Sequence, residues 1–386
     1  MKVGSIAALA VLVLAPELPG GAAGRLQEQR NAESYVAEAS RYAQEKQYDR
    51  AVAAYQQALR LNPGLAAAHH GLGTMYHNMG RVADALEPLK TAVRLDPANG
   101  IAHLNLGITL AALRRADDAL VELEEAKRLG PQSPLLHNQI GNALHNLGRF
   151  EEALAAYQES RRLDPAVAAV HHNIGLMLMR LGRFAEAVEP LTEALRLQPS
   201  YRNARYLLSD AYSRSGRYDA AVESWTRFLE LVPDGREALH NRAWNYMYMG
   251  AHGEAAASDA RRLLGIVGWR SEVSQFMVLV AHLGYRRAGR EREAAAVLEE
   301  AAIRCDTSSW PYPVIEYMRH SEAAKLLAAA TNNDRKTEAH TYIGMDLLLK
   351  GRVDEARAHF SWVREYGNKR FLEYPLALAE LIRLGY

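Results

Sequence analysis

Apolar residues recur at helical spacing along most of the chain, and the pattern itself returns every 34 residues. In the stretch 134–167, Ile140, Gly141 and Leu144 fall on one face of a predicted helix. The same step relates three independent sets of positions. They are Pro63, Pro97, Pro131, Pro165, Pro199 and Pro233; Gly80, Arg114, Gly148, Gly182, Gly216 and Gly250; and Ala51, Ala85, Ala119, Ala153, Ala187, Ala221 and Ala255. The pattern predicts an array of helix pairs, each of which packs on its neighbours.

Small and helix-breaking residues occur where such a pair needs them. Gly141 and Ala153 leave room for the two helices to approach closely. Gly148 suits the left-handed conformation that ends the first helix. Pro165 cannot continue the second helix, so it starts the connection to the next pair.

This pattern resembles the tetratricopeptide repeat (TPR), a helix–turn–helix unit of the same length. The stretch 134–167 matches it at His137, Ile140, Gly141, Leu144, Gly148, Phe150, Ala153, Tyr157 and Pro165. The resemblance implies an all-α fold, a TPR α-solenoid in which antiparallel helix pairs form a right-handed superhelix. It also implies a non-catalytic function, since such arrays bind proteins or peptides on the concave surface that the first helix of each pair, the A helix, lines.

By this register seven units fill residues 32–269, and the last of them is degenerate. The units are 32–65, 66–99, 100–133, 134–167, 168–201, 202–235 and 236–269. In the seventh, His252, Asp259, Arg262 and Val267 replace signature residues of the family. Asp259 and Arg262 are three residues apart and could pair on one helix face. Either this unit packs differently, with its second helix partly exposed, or it holds a buried ion pair with a function.

Residues 270–386 form a less regular helical region. The predicted elements are a weak unit over 275–308, an irregular stretch with Pro311 and Pro313 at 306–313, a helix from Val314 to Ala330, a unit over 337–370, and a last helix from Leu372 to Arg383 that closes the stack. Three segments here, WPYPVIEY, YIGMDLLLKGRVDEARAHF and EYPLALAEL, are similar to the C-terminal part of bacterial periplasmic TPR adaptors that organise cell-wall hydrolases.

The first 23 residues have the layout of a secretory signal peptide. Lys2 precedes the apolar run IAALAVLVLA, and small residues follow around Ala23, where a signal peptidase could cut. The alternative is a misassigned start or an unstructured tail. We therefore expect an exported protein, periplasmic or extracellular, and otherwise a cytoplasmic one. No later segment has the apolar length of a membrane helix, so we expect no integral membrane segment after the signal is removed.

The candidate binding residues occupy positions two, five, six, nine, twelve and thirteen of the A helices, opposite the predicted core face. They are His70, His77, Asn105, Asn138, Gln139, Asn142, His145, Asn146, Asn173, Asn241 and Trp244. Side-chain amides both donate and accept, so they can bind a peptide backbone whatever its sequence. The amides at Asn105, Gln139, Asn173 and Asn241 resemble the asparagine ladder in the superhelix of the eukaryotic O-linked N-acetylglucosamine transferase. Alternatively, these polar residues simply keep the surface hydrated and do not bind a partner. Trp244 could instead belong to the core of the weak seventh unit.

Charge and composition exclude several functions. Lys plus Arg is 46 and Asp plus Glu is 45, so the basic excess of a nucleic-acid-binding protein is missing. The single cysteine, Cys305, allows no internal disulfide, and we expect it to be a plain buried thiol. His69, His103, His137 and His171 share position four of successive units, too far apart to bind one zinc ion. Common enzyme motifs are absent, so we expect no catalysis, no cofactor and no metal.

Three functions remain open. The first is an exported scaffold that binds a protein or an extended peptide in its groove. The second is an intracellular assembly factor that keeps its N-terminus, or the non-catalytic superhelix of a glycosyltransferase-like system. The third is a cryptic enzyme or sugar-binding protein that uses the irregular stretch around Trp310.

Overall fold

The computed structural model of the protein describes residues 20–386, and that part of the chain contains 21 α-helices and no strand. The expected all-α solenoid of helix pairs is thereby confirmed. The proposed signal peptide, residues 1–23, lies outside the described residues except for its last four positions, and it stays a prediction. The chain forms two compact units, of which the first ends at Asp164 and the second begins at Pro165.

The first unit consists of four helix pairs. They are α1 (Gly20–Gln44) with α2 (Tyr48–Leu61), α3 (Ala66–Asn78) with α4 (Val82–Leu95), α5 (Gly100–Ala112) with α6 (Ala116–Leu129), and α7 (Pro134–Asn146) with α8 (Phe150–Leu163). The second helix of each of the first three pairs, its B helix, contacts the A helix of the next pair. Helix α1 begins 12 residues before the first predicted repeat at position 32, and the added segment Gly20–Asn31 contains no proline.

The second unit begins with four more pairs. They are α9 (Ala168–Arg180) with α10 (Phe184–Leu197), α11 (Arg202–Arg214) with α12 (Tyr218–Leu231), α13 (Arg236–Met249) with α14 (Gly253–Val267), and α15 (Glu272–Arg287) with α16 (Glu291–Arg304). After them come α17 (Tyr312–His320), α18 (Ala323–Ala329), the pair α19 (Asn333–Leu349) and α20 (Val353–Tyr366), and α21 (Glu373–Arg383).

The turns inside the pairs impose a left-handed backbone that glycine adopts most easily. Gly80 and Gly148 have φ angles of 77° and 73°. The equivalent residues Lys46 and Arg114 adopt φ angles of 59° and 63° although they carry side chains. The packing of the helix pair therefore fixes this conformation even where the residue does not favour it.

The prediction of a single helix from Val314 to Ala330 is wrong. Two short helices, α17 and α18, replace it, because Ser321 takes a left-handed conformation with φ 62° and ends the first of them. The Ser321 hydroxyl accepts a hydrogen bond from Lys350 Nζ at 2.8 Å, which ties the bend to the end of α19.

The last helix does more than close a stack. Helix α21 packs on α19 and α20, and it also contacts α13 of the seventh repeat. Tyr248 of α13 donates a hydrogen bond to the Leu372 carbonyl at 3.1 Å, and Arg383 donates one to the Tyr248 carbonyl. One continuous apolar core consequently extends from Ala221 to Leu381.

The backbones of α14 and α15 approach each other closely at two glycines, Gly253 and Gly284. A Cβ atom at Gly284 would lie 2.5 Å from the Gly253 carbonyl oxygen, which is too close for any real contact. Because the obstacle is backbone, the two helices would have to separate. We expect Gly284→Ala to lower the free energy of unfolding by about 3 kcal/mol, measured by thermal or urea unfolding.

A control for this substitution lies on the same pair of helices. Gly265 of α14 is exposed, and a Cβ atom there would meet nothing within 4 Å. Gly265→Ala should therefore raise stability slightly, by up to about 1 kcal/mol, through helix propensity. Equal melting temperatures for the two variants would contradict the packing described.

Candidate peptide-binding groove

The A helices of each unit lie side by side, and their shared face is the candidate groove. In the first unit α1, α3, α5 and α7 contact one another in succession, and in the second unit α9, α11, α13 and α15 do so. No two B helices of successive pairs in the described part of either unit make a comparable contact. Because the A helices lie closer together than the B helices, their side is the inner, concave side of each unit.

In the first unit, amide and imidazole side chains of neighbouring A helices hydrogen-bond to one another. Asn105 of α5 donates through Nδ2 to His70 Nε2 at 2.8 Å and to Thr74 Oγ1 at 3.1 Å, both on α3. One turn further, Thr109 Oγ1 lies 3.3 Å from His77 Nδ1. The predicted residues His70, His77 and Asn105 are thus brought together across the two helices.

The candidate residues of α7 form a second small network. Asn142 donates through Nδ2 to Gln139 Oε1 at 3.2 Å, and its Oδ1 accepts from the Tyr157 hydroxyl at 2.8 Å. The His145 ring lies 6.1 Å from the Phe150 ring. Asn138 is half-buried on the same helix, and Asn146 is exposed at its end.

In the second unit, each candidate asparagine is paired with the histidine that precedes it. His172 Nδ1 donates to Asn173 Oδ1 at 3.1 Å, and its ring stacks on Tyr201 with 4.9 Å between centroids. His240 Nδ1 donates to Asn241 Oδ1 at 3.3 Å. These pairs present polar edges on the A-helix face of α9 and α13.

Trp244 does not belong to the groove. Only 2% of its surface is exposed, and it packs in the apolar core beside Tyr248, with 6.0 Å between ring centroids. The helical-wheel position is the one expected for the groove, but α14, α15 and α21 all contact α13, and these contacts bury the ring. This corrects the prediction for Trp244.

Burial favours the uncharged form of three groove histidines. It lowers the pKa of His70, of His172 and of His240 below the ordinary value for histidine. For His172 and His240 the hydrogen bond to the neighbouring asparagine opposes this effect in part. These imidazoles therefore contribute neutral donors and acceptors.

A cleft of about 670 Å³ opens on the A-helix face of the second unit. Its polar wall includes the predicted Asn241 together with Asp210, Arg214, Arg236 and Glu237. Its apolar wall, which the sequence did not reveal, consists of Leu263, Ile266, Val267 and Val273. The sequence does contain one sign of this wall, because Val267 replaces the proline that starts the connection in the other repeats. Helix α14 therefore extends to Val267, whereas the other B helices end two positions earlier in their repeats.

The seventh repeat holds a buried ion pair, but the predicted partner of Asp259, Arg262, was wrong. Asp259 accepts two hydrogen bonds of 2.7 Å from Arg242 of α13, from Nε and from Nη2. Arg262 instead donates to the Pro233 carbonyl at 2.7 Å. The reason is geometric. Asp259 occupies the core position that Tyr157 has in the fourth repeat, and Arg242 occupies the facing position, which Ile140 has there.

The column of histidines at position four serves to anchor turns. In His69, His103 and His171, Nε2 donates to the carbonyl oxygen of the proline six residues earlier, at 2.9, 3.2 and 2.8 Å. His137 bonds to the Gln132 side chain instead, at 2.7 Å. Within residues 20–386, no three His, Cys, Asp or Glu side chains are grouped so that they could hold a metal ion.

The stretch around Trp310 contains converging carboxyl groups, but they are closed off. Trp310 Nε1 donates to Glu338 at 2.6 Å, and Tyr342 donates to Glu373 at 3.1 Å. Only 2% of Glu338 and 3% of Glu373 are exposed, so neither carboxyl can meet a substrate. Nearby Cys305 is half-buried rather than buried, and desolvation raises the pKa of its thiol to about 11.

The paired helices, the left-handed turns and the shared A-helix face define a helical-repeat solenoid of the protein-interaction class. Models of the TPR repeat match residues 39–80, and models of the tetratricopeptide repeat match residues 76–134, 138–202 and 178–237. The chain belongs to the tetratricopeptide repeat family, as its sequence predicted.

Solved TPR structures resemble parts of the chain. YrrB, described as a TPR protein with an unusual peptide-binding site, is 26% identical, with 49% of this chain and 97% of YrrB covered and a TM-score of 0.43. PilF of Pseudomonas aeruginosa is 19% identical, with 54% and 94% covered and a TM-score of 0.47. MamA of Desulfovibrio magneticus RS-1 is 21% identical, with 44% and 97% covered and a TM-score of 0.41. A search of curated proteins gave no match.

Among the described helices, none has both the length and the apolar character that crossing a membrane requires. Proteins of this repeat class are generally scaffolds without catalytic activity.

Proposed function

We propose that the protein is a non-catalytic scaffold that holds an extended segment of a partner protein along its A-helix face. One observation carries the proposal: amide and imidazole side chains of α3 and α5 hydrogen-bond across that face, α7 adds Gln139 and Asn142, and these side chains remain partly accessible. They offer hydrogen-bond donors and acceptors in a row, which is what the backbone of an extended peptide requires.

The cleft of the second unit supports the same function. A volume of about 670 Å³ with an apolar wall and charged residues opposite can hold a large side chain of a bound segment. Tyr206 and His240 lie in its lining, so an aromatic side chain of the partner would find rings to pack against. Within the second unit, this cleft adds a side-chain site to the polar edges that α9 and α13 present.

We also propose that the scaffold acts after export, in the periplasm or outside the cell. The signal-like residues 1–23 and the similarity of the C-terminal segments to periplasmic adaptors support this location. Edman sequencing of the protein purified from its own cells tests it. A start near Gly24 is the expected result, and an intact Met1 would favour the intracellular assembly factor instead.

The double substitution Asn105→Ala with Asn173→Ala should weaken partner binding by about tenfold or more. Asn105 lies in the first unit and Asn173 in the second, and each alanine removes one amide of the A-helix face. Each hydrogen bond to the partner that is lost should cost roughly 1 kcal/mol of binding free energy. The measurement is the amount of partner that the immobilised protein captures from an extract, followed by titration of that partner.

The matched control is Gln57→Ala, which removes an exposed amide from α2 on the B-helix side. It should leave capture unchanged, and circular dichroism should show all variants folded. A partner retained equally by the double variant, or no partner at all, would count against the groove.

A further inference from the structure

The part of the first unit's groove that α3, α5 and α7 form carries no formally charged side chain, whereas α1 contributes Glu33 at its edge. None of the groove positions on α3, α5 and α7 holds Asp, Glu, Lys or Arg. The cleft of the second unit differs, since Asp210, Arg214, Arg236 and Glu237 line it. A charged side chain placed in the first groove would lose water without gaining a counter-charge, which is unfavourable.

The internal hydrogen bonds determine which groups remain for a partner. Both Nδ2 hydrogens of Asn105 are used, toward His70 and Thr74, so its Oδ1 is left as an acceptor. Gln139 Oε1 accepts from Asn142, so its Nε2 is left as a donor. Neighbouring helices thus offer one acceptor for a backbone N–H and one donor for a backbone carbonyl.

Apolar side chains border these amides. Ile101 and Leu135 occupy the same position of α5 and α7 and are 61% and 51% exposed. Leu104 and Ile108 of α5 are half-buried on the same face. Exposed aliphatic residues at repeated positions form a surface on which an aliphatic side chain can be buried.

We propose that the groove formed by α3, α5 and α7 selects extended protein segments that are uncharged and carry an aliphatic side chain. This inference rests on the proposed function and specifies the chemistry of the partner. The backbone of such a segment is bound by the amides, and its aliphatic side chain packs on Ile101 and Leu135.

The test is a selection of random twelve-residue peptides, displayed as mRNA fusions, on the immobilised full chain. Peptides that bind should be depleted in Asp, Glu, Lys and Arg and enriched in Leu, Ile or Val. Their affinity should change less than about twofold between 50 and 500 mM NaCl, because no charge pairs form.

Two lysine substitutions locate the site. Ile101→Lys places a charge in the groove and should weaken the selected peptides by about tenfold. Val121→Lys makes the same change on α6, where the side chain is 68% exposed, and should have no effect. Melting temperatures of both variants show whether they are folded.

The outcomes separate the two proposals. Selected peptides that are charged, or that bind equally well to Ile101→Lys, would overturn the inference about the first groove while leaving a peptide-binding scaffold intact. A selection that enriches no peptide at all would overturn both.

Discussion

Replacing Asp259 by alanine is expected to lower the free energy of unfolding of the second unit by about 3–5 kcal/mol. The substitution leaves the Arg242 guanidinium in the core without its carboxylate, with 15% of that side chain exposed. Only the Thr226 hydroxyl would still accept a hydrogen bond from it, at 2.9 Å. Urea unfolding followed by circular dichroism measures the loss.

The decisive comparison is the double variant Arg242→Leu with Asp259→Leu. It introduces the apolar pair that the third repeat has at the equivalent positions, Leu106 and Leu123. Its stability should equal or exceed that of the natural protein by up to about 4 kcal/mol, since a packed apolar pair avoids the desolvation of two charges.

An exposed ion pair provides the control. Glu152 pairs with Arg149 at 2.6 Å on the surface, where about half of each side chain is exposed. Glu152→Ala should leave the free energy of unfolding almost unchanged, because water already solvates both charges. If Asp259→Ala costs no more than this, Arg242 is not buried as described.

Stability should fall as the pH rises from 7 to 9, by about 2–3 kcal/mol. Burial raises the pKa of Glu338 to about 9, and the neighbouring Glu373 carboxylate adds to this shift. Burial also raises the pKa of Glu373 to about 7. Above the ordinary carboxyl pKa the unfolded chain has released these protons whereas the folded chain retains them, so rising pH favours unfolding until both states are ionised.

The buried histidines of the second unit titrate at lower pH than these carboxyls, because burial lowers the pKa of His282 and of His359 below the ordinary value for histidine. Glu338→Gln removes one titrating group but keeps an oxygen that can accept from Trp310, and it should flatten the dependence of melting temperature on pH. Glu151→Gln, on the exposed side of α8, should not alter it. A natural protein equally stable at pH 7 and pH 9 would refute the assignment.

Most of the fold could be predicted from the sequence because each repeat encodes its own helix pair. Apolar spacing and the glycine turns depend on residues within 34 positions of one another, and these predictions are confirmed. The break at Ser321 and the return of α21 to α13 depend on contacts with distant residues. No local pattern reports such contacts.

The groove was predicted less completely than the fold. Helical spacing placed His70, His77 and Asn105 on one face, and the structure brings them together. Spacing cannot show which amide atoms the neighbouring helix already uses, nor that α14 extends to Val267 and forms a wall of the cleft. Trp244 was misplaced because a wheel drawn for one helix ignores the other helices that pack on it.

The return of α21 to α13 changes how the two units should unfold. In the first unit every helix contacts only its near neighbours in sequence, so its repeats can fray one at a time from an end. In the second unit Tyr248 is joined to residues 124 and 135 positions away, which makes its C-terminal part a single cooperative body. Truncation before Glu373 would consequently act on the seventh repeat, far upstream in the chain, and loosen α13, whose first turns line the cleft.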